Sequence, residues 1–432
     1  MSYSDRLPQR HARPIGTIIG DLVTSCYPIG VQDLFLKHRT GRPRHHPGWV
    51  PIVYCALVRH FESCSRLDAE LATGLWQQLR TAAIAAGLDD PGSEMFMSHH
   101  HRYWRDLIME DPDSRDTLRQ RFTQLALQHA TGTGLLLPGG KGSRTHPHLE
   151  RVMYGDGTIV RPKFTPAKCE RDPSAEQHGR FDGLHWGNNF VMFATRGDSY
   201  RSRIILDISR VATPGTEAAT ATAVNAIAHI VSNQTSDGIV AVAYDGALRG
   251  THINNIMTNS GLVVINKPHA ASNNGNVPVP SRKIIGHMSH DVDGTECVHL
   301  VAAINGRLAV VELDENGEPT PVAFADRHQI KRSTKADGTF RFSLGVTFHC
   351  RHHDITWTKW VNPHEEPEHI RLIPPDDPDF NTLYGRRPDA ESLNAEFKRT
   401  LIADRASSIG WERQLYDLYG FAVLHNSGAT RQ

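Results

Sequence analysis

Tyr384-Gly-Arg-Arg387-Pro388-Asp-Ala-Glu391-Ser-Leu393-Asn-Ala-Glu-Phe397-Lys398 is the stretch from which the rest of the chain is read. Its spacing is Tyr, two residues, Arg, three residues, Glu, six residues, Lys. Pro388 has its φ fixed for a first helical turn, so a helix is expected to start there. Leu393, Phe397 and Leu401 then recur at four-residue steps as a buried stripe. Glu391 and Lys398, seven apart, share the opposite, exposed face, and Arg387 stands just before the start. One carboxylate is flanked by two cations and a phenol on a rigid support. A carboxylate for a metal ion, with cations for phosphate oxygens, is what phosphoryl transfer on a polyanion requires.

The spacing resembles the signature of the insertion-sequence family of DDE transposases that carry this Tyr-Arg-Glu-Lys motif. The resemblance implies that Glu391 is a third metal-binding carboxylate, on a helix packed against an RNase H-like sheet. It also implies two Asp residues upstream, each at the end of a core strand. The pattern from residue 151 supplies both. Residues 151–160 read as a strand with Asp156 near its centre. A polar insertion follows, then a hairpin of residues 189–195 and 202–211 around Gly197-Asp198. Residues 217–232 read as an Ala-rich helix. Ile239-Val-Ala-Val-Ala-Tyr244 reads as a strand buried on both faces, ending at Asp245. A short helix (251–258) leads to a further buried strand (262–266). Strand, hairpin, helix, strand, helix, strand is the order of the RNase H-like fold. Taken singly, Gly-Asp-Gly and Tyr-Asp-Gly are common turn sequences; the joint order is what assigns Asp156 and Asp245 to a site with Glu391.

Between residues 269 and 370 the character changes to β. Ile304-Asn305-Gly306-Arg307 is a two-residue hairpin turn between residues 298–303 and 308–313, and residues 340–348 and 355–361 alternate as half-buried strands. Related transposases carry a β-rich insertion at this place, before the Glu helix. Trp357 and Trp360 are expected to pack, with stacking on an extruded base as the functional alternative. Two decoys are set aside. In His364-Glu-Glu-Pro-Glu-His369 the histidines are five apart and Pro367 breaks the helix that a zinc-protease box requires. In His349-Cys350-Arg-His352-His353 neighbours on a strand diverge to opposite faces.

Composition adds limits. The chain has 432 residues, 39% of them hydrophobic, and a formal net charge of zero, so any grip on nucleic acid must be local. No apolar run approaches ~18 residues and the N-terminus lacks the layout of a signal peptide, which predicts a cytoplasmic protein with no membrane partner. Cys26, Cys55, Cys64, Cys169, Cys297 and Cys350 include no Cys-x-x-Cys pair, which argues for a reducing compartment and against a structural zinc cluster. Residues 1–48 open as a polar tail. Their basic end (37–47) could follow a DNA backbone or form a solvated loop. Helices are expected over 49–61, 67–86, 99–109 and 114–130, the last capped by Ser114. The Gly/Pro-rich stretch 131–148 is a linker and not a phosphate loop, since Lys141 is followed by Gly142.

The expected architecture is α/β: a helical DNA-binding region and linker (1–148), an RNase H-like core (149–268 and 371–432) and a β-rich insertion (269–370). The resemblance implies a transposase that cleaves and joins DNA at the ends of a mobile element, acting as a homodimer on double-stranded DNA. Asp156, Asp245 and Glu391 would hold two Mg²⁺ ions, for which Mn²⁺ could substitute, ~3.5–4 Å apart. Tyr384, Arg387 and Lys398 would grip the DNA phosphates. The resemblance departs at Ala395 and Glu396, where family members often carry a further Lys; Glu396 would bring a negative charge near the DNA path. The other readings are an RNase H-like nuclease and a domesticated, catalytically silent DNA-binding protein.

Overall fold

The computed structural model describes residues 13–36, 45–164, 171–180, 183–235, 237–269, 272–274 and 277–429. The chain is mixed α/β, with helices first and several sheets after them. The helices are α1 (Ile15–Thr24), α2 (Cys26–Val31), α3 (Val50–Phe61), α4 (Cys64–Glu70), α5 (Trp76–Ala85), α6 (Ser98–Met109) and α7 (Pro112–Gly132). Among the described residues, no helix is long and apolar enough to cross a membrane.

Two expectations for this region need correction. The opening tail, residues 1–12, lies outside the described residues; after it α1, which the pattern did not reveal, buries Ile18, Ile19, Leu22 and Val23. Gly16, Gly20 and the β-branched residues give α1 little intrinsic helix preference, so tertiary packing forms it. The helix expected over 67–86 is broken at Gly74, whose φ of 116° lies outside helical space. The cap of α7 is Asp111, whose carboxylate accepts from the Ser114 amide at 3.1 Å; Ser114 lies inside the helix. Of the basic stretch 37–47, residues 37–44 lie outside the described residues, and His46 at its end is buried.

The central sheet comprises β1 (Val152–Val160), β2 (Glu176–Arg180), β3 (Gly183–Thr195), β4 (Ile204–Arg210), β5 (Ala241–Ala243) and β6 (Val263–Ile265). Its order is β2-β3-β1-β5-β6, with β4 also paired to β3. β3 runs antiparallel to β1 and β4, while β1, β5 and β6 are parallel. The crossovers are α8 (Thr216–Asn233) and α9 (Gly250–Asn255), the latter prolonged by a π-helical turn that Gly261 closes in left-handed conformation. The polar insertion after β1 contains a ribbon that alternation did not reveal, β2 against the first half of β3.

Among the described residues, the segment from 269 to 370 is strand, turn and bend. After a short hairpin, β7 (Ser272–Asn274) with β8 (Val277–Val279), come β9 (Arg282–Val292), β10 (Thr295–Ile304), β11 (Arg307–Leu313) and β12 (Pro319–Phe324), one antiparallel sheet. β13 (Asp326–Thr334), β14 (Phe340–Cys350) and β15 (Ile355–Val361) form another. The two ends of the segment meet. Gly306, at φ 92° in the β10–β11 turn, lies so close to Pro268 and Arg371 that a Cβ there would stand 3.1 and 2.8 Å from their side chains. The Arg371 amide also donates to the Gly306 carbonyl at 2.9 Å.

The chain then returns through α10 (Pro378–Tyr384), α11 (Arg387–Arg399) and α12 (Trp411–Ser427). α12 packs on both α3 and β4, and α7 also packs on β4. One apolar core therefore runs from Ile18 through the central sheet to Val423, and packing shows no break at residue 148.

Candidate functional site

β1 positions the first carboxylate. Gly155-Asp156-Gly157 is mid-strand and not a turn, with Asp156 opposite Met192 of β3. Gly155 is required because the Phe193 ring lies over it; a Cβ would stand 2.5 Å from that ring. β1 and β5 are parallel with Tyr154 beside Ala243. The pairing stops there; two positions further along each chain come Asp156, still on β1, and Asp245, in the turn past β5, whose charge acts on the Asp156 carboxyl. Tyr244 points the other way and stacks on Phe193 at 5.8 Å. Asp245 steadies its turn by accepting the Ala247 amide at 3.0 Å.

α11 lies across this face of β1. It starts at Arg387 with Pro388 in its first turn, and it buries Leu393 and Phe397 fully, as the four-residue spacing requires. Glu391 is carried on the exposed side, where its carboxylate accepts from Arg387 Nη1 at 2.8 Å. Arg387 Nη2 stands 3.9 Å from Asp156 Oδ1. Asn394, one turn beyond Glu391, reaches back with Nδ2 to the Asp156 carboxylate at 3.5 Å and the Gly157 carbonyl at 3.4 Å.

Electrostatics tie these groups into one cluster. Burial pushes the Asp156 carboxyl up to about 6; Arg387 opposes that shift, and the charges of Asp245 and Glu391 add to it. For Arg387, burial works against the charge, but Asp156, Tyr384, Glu391 and Asp245 together hold its pKa above the usual guanidinium value. Burial raises the Tyr384 phenol, helped by the same three carboxylates and opposed by Arg387. Asp156, Asp245, Glu391, Arg387 and Tyr384 thus converge although 89 and 146 positions separate the three acids (245−156, 391−245). Lys398 stands two turns along α11, half-buried.

The other face of α11 is anchored by buried ions. Arg203 pairs with Glu396 and donates to Ser392 at 3.2 Å, and His425 lies 3.5 Å from the same Glu396. Arg196 approaches Asp389 at 2.7 Å, and Tyr200 covers Arg196 at 3.9 Å. Glu396 is therefore turned into the protein, which corrects the expectation of a negative charge near the DNA path. Sequence reasoning missed Asn394, which looks like an ordinary helix-surface amide. It also missed Lys267, just beyond β6, whose ammonium lies 5.6 Å from the Tyr384 ring. A signal for Lys267 existed: it follows the buried run that ends the parallel sheet, where neighbouring strand ends carry Asp156 and Asp245.

The tryptophans separate in character. Trp357 is buried between Phe348, at 4.6 Å, and His290, at 5.2 Å, so it packs. Trp360 is exposed, with Lys331 4.1 Å from its ring. The decoy histidines serve separate contacts: His364 accepts the Phe342 amide at 2.9 Å, and His369 meets Ser281 at 3.1 Å.

Chemically, the cluster offers hard oxygen donors from three elements, with a guanidinium and a phenol beside them. Comparison with family models and with characterised proteins finds no match for this chain.

Proposed function

We propose that the chain is a DDE transposase with an RNase H-like core, in which Asp156, Asp245 and Glu391 form the catalytic site. The observation that carries this reading is the convergence of the three carboxylates, one from β1, one from the turn past the parallel strand β5 and one from a helix laid across β1. The strand order supports it too, as does a β-rich body whose ends meet between β6 and the Glu helix. Residues 1–148 are then the helical DNA-binding region, 149–268 and 371–432 the core, and 269–370 the insertion. The partner is double-stranded DNA, element ends and target, bound by a homodimer in the cytoplasm.

The donor set fits divalent magnesium or manganese. All three ligands are carboxylates, and their mutual repulsion, felt at Asp156, is what a cation relieves. Bound there, Mg²⁺ would supply activation of a water or 3′-hydroxyl and stabilise the leaving oxygen. The chain's own residues do the rest. Asn394 orients the Asp156 carboxylate. Arg387 exchanges Glu391 for a phosphate oxygen of the DNA, and Tyr384, Lys267 and Lys398 line the strand's path.

The test is Mg²⁺- or Mn²⁺-dependent nicking of supercoiled and element-end DNA by the full chain. Cleavage with strand transfer that disappears in Asp156→Asn is expected. Cleavage without transfer would make the chain an RNase H-like nuclease, and binding with no metal-dependent cleavage a silent DNA-binding protein.

A further inference from the structure

A second cluster lies in the β-rich segment, away from the carboxylates. The turn Asp293-Gly294, with φ of 50° and 82°, joins β9 to β10 and sets the register that places His290 directly opposite Cys297. His299, two residues beyond Cys297, shares its face of the strand. The end of β14, from the other sheet, brings in Cys350. One ligand atom from each of these four residues lies within 4.8 Å of every other.

Three of the six distances between the ligand atoms come close to those of one polyhedron, and the other three are within 4.8 Å. A tetrahedral zinc ion with Zn–S of ~2.3 Å and Zn–N of ~2.0–2.1 Å has ligand edges of ~3.8 Å between sulfurs, ~3.3 Å between nitrogens and ~3.6 Å between the two kinds. Cys297 Sγ and Cys350 Sγ are 3.8 Å apart, His290 Nε2 and His299 Nε2 are 3.2 Å apart, and Cys297 Sγ and His299 Nε2 are 3.4 Å apart. Without an ion the two imidazole nitrogens can share one proton as a hydrogen bond; with both as acceptors they offer two lone pairs to a cation. Trp357 covers the histidine rings, stacking on His290 at 5.2 Å and His299 at 6.0 Å. Cys350 and His299 are buried, so the site is half closed to water.

We propose that His290, Cys297, His299 and Cys350 bind one Zn²⁺ ion that clips the β9–β10 hairpin to the end of β14. The donor set, two thiolates and two imidazoles, is that of closed structural zinc sites and suits neither magnesium nor calcium. Binding takes one proton from each thiol, so each zinc captured releases two protons and forms two Zn–S bonds with no change of oxidation state. With zinc bound here, the missing Cys-x-x-Cys pair would be no guide to the site. The ligands are collected by hairpin register, and His349-Cys350-Arg-His352-His353 contributes only its Cys350.

The test uses the full chain, purified under reducing conditions without added metal. Elemental analysis should find one zinc per chain. After stripping, titration with Co²⁺ should give a thiolate-to-cobalt charge-transfer band and tetrahedral d–d absorption saturating at one equivalent. Cys350→Ser and His290→Ala should lose the metal, while Cys26→Ser, which alters an exposed cysteine elsewhere, should keep it. The wild-type cobalt spectrum stands even if the ligand variants fail to fold. A reduced chain that holds no metal and gives no thiolate–cobalt band would overturn the proposal, as would a Cys297–Cys350 disulfide found by mass spectrometry in the chain as purified. Glu391→Gln should leave the zinc content unchanged, so this site and the carboxylate site can fail separately.

Discussion

The acidic cluster on β1, β5 and α11 and the His/Cys cluster on β9, β10 and β14 solve opposite problems. In the first, three like charges share one face, and the chain must supply Arg387 as a standing counter-charge. In the second, neutral imidazoles and thiols sit together at little electrostatic cost, and no guanidinium is needed. The acidic cluster is also held from behind by packing and buried ions that exist without any ligand. The His/Cys cluster joins two sheets by its own ligand atoms. On the proposed reading, a site that exchanges substrates can carry repulsion and an open carboxylate such as Glu391, and a closed metal site would gather soft ligands under Trp357.

The largest effect tests whether the two clusters are independent. Glu391→Gln keeps size and helix preference but removes a charge, so Mg²⁺-dependent cleavage should fall by at least ~10²–10³-fold with DNA binding nearly intact. Cys350→Ser should show the converse in metal content, losing zinc while the carboxylates titrate as before. Cleavage that survives Glu391→Gln would remove that carboxylate from the ligand set. A zinc loss in Glu391→Gln would show that the two regions are coupled.

The next effect concerns what holds α11 in place. Arg203 and Glu396 are both buried, and removing one charge strands the other. Arg203→Met should destabilise the fold by about 3–5 kcal/mol in urea unfolding. Adding Glu396→Leu should recover much of that loss, since a well-packed apolar pair can replace a buried ion pair. If the double variant is no better than the single one, the contribution of Arg203 lies in its bond to Ser392 and its contact with Tyr200.

What could be read from sequence follows the range of the forces involved. Asp156, Asp245 and Glu391 each sit in a local pattern, a strand alternation, an apolar run or a helical stripe, and local patterns survive translation into structure. Asn394 and Arg203 acquire their roles only when α11 docks on β1 and β3, and nothing local marks them. The His/Cys cluster is intermediate. Asp293-Gly294 pairs His290 with Cys297 by a local rule, but Cys350 arrives from another sheet, 53 positions from Cys297. α1 was illegible for a different reason: its glycines and β-branched residues disfavour a helix until α5 and α12 cover it.

A smaller effect measures the repulsion at the acidic cluster. The Asp156 carboxyl titrates near 6 in the folded protein against a usual 3.8. Because the folded value is raised, this group's contribution to stability is present below about pH 4 and lost as pH rises through 6. Asp156→Asn stays uncharged, so at pH 7 it should be more stable than the parent by up to about 3 kcal/mol, with the difference vanishing toward pH 4. Unfolding across that range in Mg²⁺-free buffer without chelator, which would also strip zinc, reads it directly. Equal stability at pH 7 would mean that Arg387 already offsets the charge in full.

The smallest effect separates exposed Glu391 from half-buried Lys398, further along α11. Lys398 lies seven residues beyond Glu391, ~10 Å along the helix axis, where it would meet a phosphate and not the reacting bond. Lys398→Ala should weaken binding by a similar factor on any DNA sequence. It should also make the slope of log affinity against log salt shallower by about one unit, the mark of one lost phosphate contact. Cleavage at saturating DNA should stay near that of the parent, because the carboxylates are untouched. A general disruption of α11 would instead lower cleavage and binding together, and circular dichroism on the variant would reveal it. Unchanged affinity and slope would make Lys398 a surface charge with no part in holding DNA, and would shift that role to Lys267 and Arg387 at the other end of the cluster.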